Sequence, residues 1–217
     1  RIVTADARFS VVEAIAIKKG KITRTGASAA VLGSEKGANT KVVNLGGKMV
    51  LPGLIDAHVH VVHVLDFAHV TGDEVLPLYL AAGVTSIRST GDELVAATLV
   101  ARFAAAHPES SPRVFTCSPL LDADPPIHRD VGHAITDAAK LPALFEDLLR
   151  WNVTTVKIYA GTSRPVGKAI IDDGHVGARL SIFDYDVGRL KRRAGRLGRP
   201  SQGRAKAWSE RHNAASV

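Results

Sequence analysis

The first 52 residues alternate apolar and polar positions in short runs, a pattern typical of half-exposed β-strands. VVEAIAI is followed by the turn KKGK and then by KITRTG, which predicts a hairpin around Gly20. SAAVLGSEKG has the length of one or two helical turns, and TKVVNLGGKMVLPG predicts two further strands around Gly46 and Gly47. Residues 1–52 therefore predict a small β module.

The pattern changes at Leu54. Four apolar runs rich in β-branched residues follow, beginning at residues 54, 84, 113 and 153: LIDAHV, VTSIRS, RVFTCS and VTTVKIYA. Between them lie helix-like segments, DEVLPLYLAAG, DELVAATLVARFAAAH and DAAKLPALFEDLLRW, and we expect aspartate N-caps for two of these. Strand and helix alternating at about 30-residue spacing is typical of parallel βαβ units. Residues 53–174 therefore predict an α/β fold with about four such units.

The longest predicted connection, Pro119–Thr136, follows the third of these strands. It contains three prolines and two histidines in the sequence PLLDADPPIHRDVGHAIT. Connections of this length inside a compact domain usually bind a ligand or are disordered. We therefore treat it as a candidate functional loop.

The net charge of +7 comes from the end of the chain. Residues 1–174 contain 18 Lys and Arg against 18 Asp and Glu, whereas residues 175–217 contain 10 against 3. The Arg, Gly and Ala bias of that tail is typical of a GC-rich gene read in the wrong frame. We hypothesise a frameshift or aberrant splice near Gly174–Val176, with residues 175–217 a basic, disordered or out-of-frame tail. Because the tail lacks aromatic or motif context, we do not expect nucleic acid as a partner.

Neither a membrane span nor a secreted, disulfide-stabilised domain is predicted. No window approaches the roughly 18 uninterrupted apolar residues of a membrane helix, and the N-terminus lacks the order of a signal peptide. Cys117 is the single cysteine, which excludes an internal disulfide and is typical of a reducing compartment. We expect a cytoplasmic protein without a membrane partner.

The first apolar run ends in the pair His58 and His60. Residues two apart on a strand point to the same face, so both imidazoles can reach one cation. Neutral imidazole is a common ligand of zinc and similar metals. An isolated H-x-H also occurs without any metal. Asp56 lies on the same face, which favours a functional reading of the strand end.

The segment GGKMVLPGLIDAHVH, residues 46–60, resembles the signature of the amidohydrolase superfamily. Its members are metal-dependent hydrolases with a distorted (β/α)8 barrel and a small β-sandwich built partly from N-terminal strands. YLAAGVTSIRSTG and VTTVKIYAG are similar to the second- and fourth-strand segments of the imidazolonepropionase-like and prolidase-like branch. The resemblance covers residues 1 to about 174. It implies that residues 1–52 are part of a sandwich and residues 53–174 the first half of a TIM-like barrel.

The resemblance also implies a metal centre. His58 and His60 would be metal ligands, and Lys157 would be both a ligand and a catalytic residue, bridging one or two zinc ions as a carbamate formed with carbon dioxide. Metal-activated hydroxide would then attack a carbon–nitrogen bond in a small-molecule amide or dipeptide-like substrate. A lysine snorkelling from a strand end is the alternative for Lys157, and the apolar neighbours Val156 and Ile158 disfavour it.

Four further residues are candidates for substrate binding. Arg88, at the end of the second strand, has a planar fork suited to a carboxylate. His128 and His133 either line a pocket or belong to a solvated loop. Tyr159 either faces the site or packs against the fold.

A full (β/α)8 barrel takes about 250 residues, and residues 53–174 suffice for four strand–helix units. The family's other ligands, two histidines from the fifth and sixth strands and an aspartate from the eighth, have no counterpart in the sequence. We therefore expect a truncated, weakly active or inactive amidohydrolase chain that self-associates to cover open strand edges. The alternative is a non-catalytic metal-binding remnant or partner subunit.

Overall fold

The computed structural model describes residues 1–174 and 181–184. The chain divides into two compact units, and the division falls between Pro52 and Gly53. In the part of the chain that the structure describes, no helix has both the length and the apolar composition that crossing a membrane requires.

The first unit contains two small antiparallel pairs and one helix: β1 (Ile2–Val3), β2 (Val11–Val12), β3 (Ala14–Lys18), β4 (Lys21–Gly26) and α1 (Ser28–Glu35). Strand β1 pairs with β2, and β3 pairs with β4. The predicted hairpin is confirmed. Its two-residue turn has φ of 52° at Lys19 and 72° at Gly20, as a type I′ turn requires, and glycine enters this region at little steric cost.

The two strands predicted around Gly46 and Gly47 are wrong. These glycines lie in a turn in which the Lys48 N–H donates to the Leu45 carbonyl at 3.0 Å, and the flanking residues form no ladder. Only Val50 makes an isolated bridge, to Ile2. Apolar alternation alone does not make a strand, because a strand also needs a partner for its backbone groups. The N-terminal β-sandwich stays a prediction.

The second unit alternates strands and helices: β5 (Leu54–Val59), α2 (Val61–Ala68), α3 (Gly72–Ala81), β6 (Val84–Ser89), α4 (Leu94–Ala106), β7 (Arg113–Asp122), β8 (Gly132–Ala134), α5 (Leu141–Arg150), β9 (Thr155–Ile158), α6 (Arg164–Gly174) and β10 (Ser181–Asp184). A 3₁₀ turn at Ala138–Lys140 precedes α5. The order confirms the predicted α/β alternation.

Five strands form one parallel sheet in the order β10-β9-β7-β6-β5. Strand β8 pairs with the end of β7 outside this path. Because successive parallel strands are joined by helical crossovers, their carboxyl ends all lie along one edge of the sheet. That edge is where residues from distant parts of the chain meet.

Strand β10 lies inside residues 175–217, the segment predicted to be a basic, disordered or out-of-frame tail, and these four residues are ordered as a strand. Ser181 is in register with Thr155, and Asp184 with Ile158. The run is too short to stand out in an arginine-rich sequence, and pairing with β9 supplies the backbone bonds that stabilise it. The remaining tail residues lie outside the described part of the chain.

Two apolar cores flank the sheet. The larger joins β7 and β9 to α5 and α6 through Leu121, Ile135, Leu141, Phe145, Leu148, Val153, Val156, Ile158, Val166 and Ile170. The smaller joins α2, α3, β6 and α4 through Val61, Leu76, Ile87 and Ala104. All four residues of β9 are buried, as a strand covered on both faces requires.

Strand β5 is the exception, since its first residues, Leu54 and Ile55, are 57% and 66% exposed. Within the described residues β5 pairs only with β6, and a free apolar strand edge favours pairing with another chain. We predict concentration-dependent self-association that Ile55→Lys weakens at least tenfold, which corresponds to about 1.4 kcal/mol. Sedimentation velocity across a dilution series measures it.

The matched control is Leu99→Lys, which places the same charge at an exposed leucine on α4. It should leave the association constant unchanged. Equal weakening by the two variants, or a wild-type monomer at every concentration, would contradict the edge as the interface.

Candidate active site

His58 and His60 lie at the carboxyl end of β5. Their ring centroids are 5.3 Å apart, with the ring planes at 62°. The Asp56 carboxylate accepts the His58 backbone N–H at 3.1 Å. Alternation along the strand thus brings the two imidazoles side by side, with His58 exposed and His60 partly buried.

The pKa of each imidazole is lowered, and burial is the main cause in both cases. The charge of Lys157 lowers both pKa values further, while Asp56 opposes the shift at His58 and Asp92 opposes it at His60. A lowered pKa keeps both rings neutral at neutral pH. Neutral imidazole carries the lone pair with which histidine binds a metal.

Lys157 comes from β9, about 100 residues further along the chain, and its side chain is completely buried. Its backbone N–H donates to the Ser118 hydroxyl at 2.9 Å. A Cβ built on Gly91 would lie 3.6 Å from Lys157 Cγ, so the lysine stem passes beside the loop after β6. Complete burial is the opposite of the snorkelling arrangement, in which the amine stays in water.

Asp92 is a buried site residue that sequence reasoning missed. Its carboxylate accepts the backbone N–H groups of Val62 at 3.3 Å and His63 at 3.2 Å, and also the Ser89 hydroxyl. Ser89 Oγ in turn accepts the Val61 N–H at 3.4 Å. The first turn of α2 is therefore capped from the end of β6.

This capping leaves the His60 ring available. His60 is the N-cap residue of α2, yet its side chain makes no capping bond. Helix N-termini need acceptors for their first N–H groups, and here Asp92 and Ser89 provide them from the neighbouring strand. The imidazole can therefore face the site.

A signal for Asp92 was present in the sequence DE that opens α4. The N-cap of α4 is Glu93, whose carboxylate accepts from Val95 N at 3.0 Å and Ala96 N at 2.7 Å. A single acidic side chain at the N-cap is enough to cap a helix start, and Glu93 has that role in α4. Asp92 is therefore not needed to cap α4 and instead accepts N–H groups of α2. Aspartate caps were predicted for two of the three helix-like segments, and one of the three has such a cap: Asp137, on the 3₁₀ turn before α5. The N-cap of α3 is Thr71.

Asp122 connects two loops at the same sheet edge. It is buried at the end of β7 and accepts the Ile127 N–H and the Gly161 N–H, both at 2.8 Å. A Cβ on Gly161 would lie 2.3 Å from Asp122 Oδ1, so this close approach requires glycine. Asp122 thereby holds the loop after β7 against the loop after β9.

Two of the four predicted substrate-binding residues meet at these loops. His128 Nε2 lies 2.9 Å from the Tyr159 hydroxyl, with the ring centroids 5.3 Å apart. His133 is exposed on β8, in register with Leu121. Arg88 is partly buried on β6. The structure therefore brings His128 and Tyr159 into contact and places His133 and Arg88 on two other strands.

The donor chemistry of the site is unusual for a metal centre. Among the described residues, no three His, Cys, Asp or Glu side chains gather in a way that could hold a metal ion. The site has two neutral imidazoles and a buried lysine near them. This set fits a divalent cation if Lys157 contributes oxygen ligands as an anionic carbamate, which is what hard and borderline cations accept.

No protein-family model matches the chain. Protein LONG AFTER FAR-RED 3 of Arabidopsis thaliana is 43% identical over 61 residues, which are 28% of this chain and 10% of that protein. The 5-methylthioadenosine/S-adenosylhomocysteine deaminase of Nitratidesulfovibrio vulgaris (strain DP4) is 41% identical over 61 residues, 27% of this chain and 13% of that enzyme. The matches thus span a small part of each relative.

Solved structures share the fold. Bottromycin amidohydrolase superposes with a TM-score of 0.51 at 23% identity, covering 62% of this chain and 28% of that one. An uncharacterized protein gives 0.59 at 18% identity, covering 78% and 50%. The described strand–helix arrangement is therefore also found within an amidohydrolase.

We predict that Asp92→Ala lowers the free energy of unfolding by about 1–3 kcal/mol, because it removes the charged acceptor of two part-buried backbone N–H groups. Urea unfolding followed by circular dichroism measures the change. Asp66→Ala is the control, since Asp66 is an exposed aspartate on α2, the helix that Asp92 caps. Equal losses in the two variants would show that Asp92 does not support α2.

Cys117 provides a pH-dependent test of the interior of the sheet. Burial raises the pKa of its thiol from 9.0 to about 12, although the charges of Lys157 and Arg88 partly oppose the shift. Above pH 9 the unfolded thiol ionises while the folded thiol stays protonated. Stability should therefore fall with rising pH by up to about 1.4 kcal/mol per unit.

Cys117→Ala should remove that component, so the difference in free energy of unfolding between wild type and variant should change between pH 8 and pH 10. Urea titrations at the two pH values measure it. If the difference in free energy of unfolding between wild type and Cys117→Ala were the same at both pH values, the thiol pKa would not be raised and the prediction would be wrong.

Proposed function

We propose that this chain is an amidohydrolase-type protein that acts on a carbon–nitrogen bond of a small amide or dipeptide-like molecule. The observation that carries the proposal is the convergence of His58, His60 and the completely buried Lys157 from β5 and β9 at one sheet edge, where Lys157 lies within electrostatic reach of both histidines and burial lowers the pKa of both imidazoles. Two proteins similar to the chain, bottromycin amidohydrolase and the deaminase, are named for reactions at carbon–nitrogen bonds.

We further infer that the five parallel strands are part of a (β/α)8 barrel and that residues 1–52 belong to a β-sandwich. The support is the strand order, in which each strand pairs with its predecessor in the βα series. In such barrels reactive groups lie at the carboxyl ends of the strands. His58, Asp92, Asp122 and Lys157 all come from such ends or the loops after them.

The proposed metal ligands are His58, His60 and Lys157, with zinc as the expected ion, one or two per site. The chemistry that a divalent cation supplies when bound there is polarisation of a carbonyl group and activation of water near neutral pH. A lysine amine in its neutral form can add carbon dioxide to give an anionic carbamate with two oxygen atoms. Burial of Lys157 and neutrality of the two imidazoles thus support the same site.

His128 and Tyr159 are the proposed substrate-orienting residues. Their contact gives the sheet edge a hydroxyl and an imidazole that can exchange hydrogen bonds with an amide. Asp122 accepts the backbone N–H groups of Ile127 and Gly161, so the two loops that carry His128 and Tyr159 are held together. Arg88 and His133 remain proposed contacts for a carboxylate or another polar group.

A non-catalytic metal-binding subunit is the second candidate function. It is favoured by the finding that, among the described residues, no three His, Cys, Asp or Glu side chains are grouped so that they could hold a metal ion. Such a protein would bind zinc without turning over an amide. Self-association would then complete or cover the site.

Zinc content is the direct test. We predict that His58→Ala, His60→Ala and Lys157→Met each lower zinc affinity at least tenfold in the purified full chain, because each removes a ligand. Competition with a chromogenic chelator gives the affinity, and elemental analysis gives the stoichiometry. His69→Asn is the control, since His69 is exposed with φ of 52° and asparagine tolerates that conformation.

Wild-type zinc affinity in all three variants would contradict the site. A second assay then separates the two candidate functions: release of amine from a panel of N-acyl amino acids and dipeptides by the zinc-loaded chain. Zinc-dependent release supports the enzyme. Tight zinc binding without release supports the metal-binding subunit.

A further inference from the structure

A cavity of about 680 Å³ lies at the other end of the parallel strands, away from the candidate active site. It is bounded by the first residues of β7 and the last turns of α4 and α5. Strand β7 has ten residues, which is roughly 30 Å at the usual rise. The cavity therefore lies at the opposite end of β7 from Asp122, and none of His58, His60 and Lys157 is among its lining residues. Its volume is in the range of small-molecule pockets, about 300–1,000 Å³.

Three arginines line this cavity: Arg102, Arg113 and Arg150. No aspartate or glutamate is among the lining residues. Lys168 pairs with Asp172 on α6, and within residues 1–174 and 181–184 no carboxylate forms an ion pair with Arg102 or Arg150. Uncompensated cations at a concave surface with apolar walls give a positive potential that favours an anion.

A buried hydroxyl in the cavity points to a ligand as well. Ser111 is 5% exposed, and its Oγ has no hydrogen-bond partner among the described residues. Buried polar atoms in native proteins nearly always have a partner. The neighbouring Arg113 is positioned by a bond from Nη2 to the Ser86 hydroxyl at 3.1 Å. Ser111 is thus a polar atom left available inside an otherwise apolar pocket.

We propose that the cavity binds a small organic anion whose apolar or aromatic body lies against Phe115 and Trp151. Its carboxylate or phosphate would face the arginines, and a polar atom would bond to Ser111. Arginine suits both groups because its guanidinium forms paired hydrogen bonds to their oxygens. The inference does not depend on the proposed amidohydrolase activity, since none of its residues belongs to that site.

Trp151 provides the readout. The sequence has two tryptophans, Trp151 and Trp208, so Trp208→Phe leaves a single reporter in the cavity wall. We would titrate this chain with benzoate, phenyl phosphate and the uncharged benzyl alcohol while recording tryptophan fluorescence. The expected result is a saturable change with benzoate or phenyl phosphate at least tenfold tighter than with benzyl alcohol. The preferred anion identifies the charged group.

Charge variants test the assignment. Arg102→Gln and Arg150→Gln should each reduce the preference for the anion at least threefold, while Arg129→Gln, an exposed arginine in the loop after β7, should not. Ser111→Ala should weaken binding without lowering the free energy of unfolding, because the hydroxyl it removes has no described partner. Equal affinity for benzyl alcohol and the anions, no saturable change with any probe, or full preference in both arginine variants would overturn the proposal.

Discussion

The capping of α2 by Asp92 and Ser89 is the interaction on which the arrangement of the candidate site depends. Strand β5 passes into α2 without a loop, so His60 is at once the end of the H-x-H pair and the N-cap. The N–H groups of the first turn have no partner within the helix and need acceptors from elsewhere. Because the neighbouring strand provides them, the His60 imidazole stays out of the cap and can serve the site.

The two buried carboxylates at the sheet edge, Asp92 and Asp122, both accept backbone N–H groups from other elements. Asp92 is stabilised by backbone N–H groups and by the positive end of a helix, and Asp122 by two backbone N–H groups from separate loops. Each carboxylate therefore joins elements that are distant in sequence. Lys157 is also buried, and burial of the two histidines, reinforced by the charge of Lys157, lowers the pKa of both imidazoles.

The two ends of the parallel strands differ in chemistry. The carboxyl ends gather carboxylates, imidazoles and a buried lysine, which suits a cation and a polar substrate. The amino ends present arginines around an apolar cavity, which suits an anion. Because parallel strands place all like ends together, a single sheet can keep two such environments separate.

The sequence by itself determined what depends on local periodicity: the β3–β4 hairpin, the strand–helix alternation after Leu54, and the shared face of His58 and His60, since neighbours two apart on a strand must point the same way. Tertiary structure alone decided which partner each group found. In the folded chain Lys157 lies within electrostatic reach of histidines about a hundred residues away, and Asp92 caps α2. His128 contacts Tyr159, β10 pairs with β9, and the residues around Gly46 form no strand ladder. These outcomes rest on hydrogen bonds and burial between distant segments, which no local pattern records.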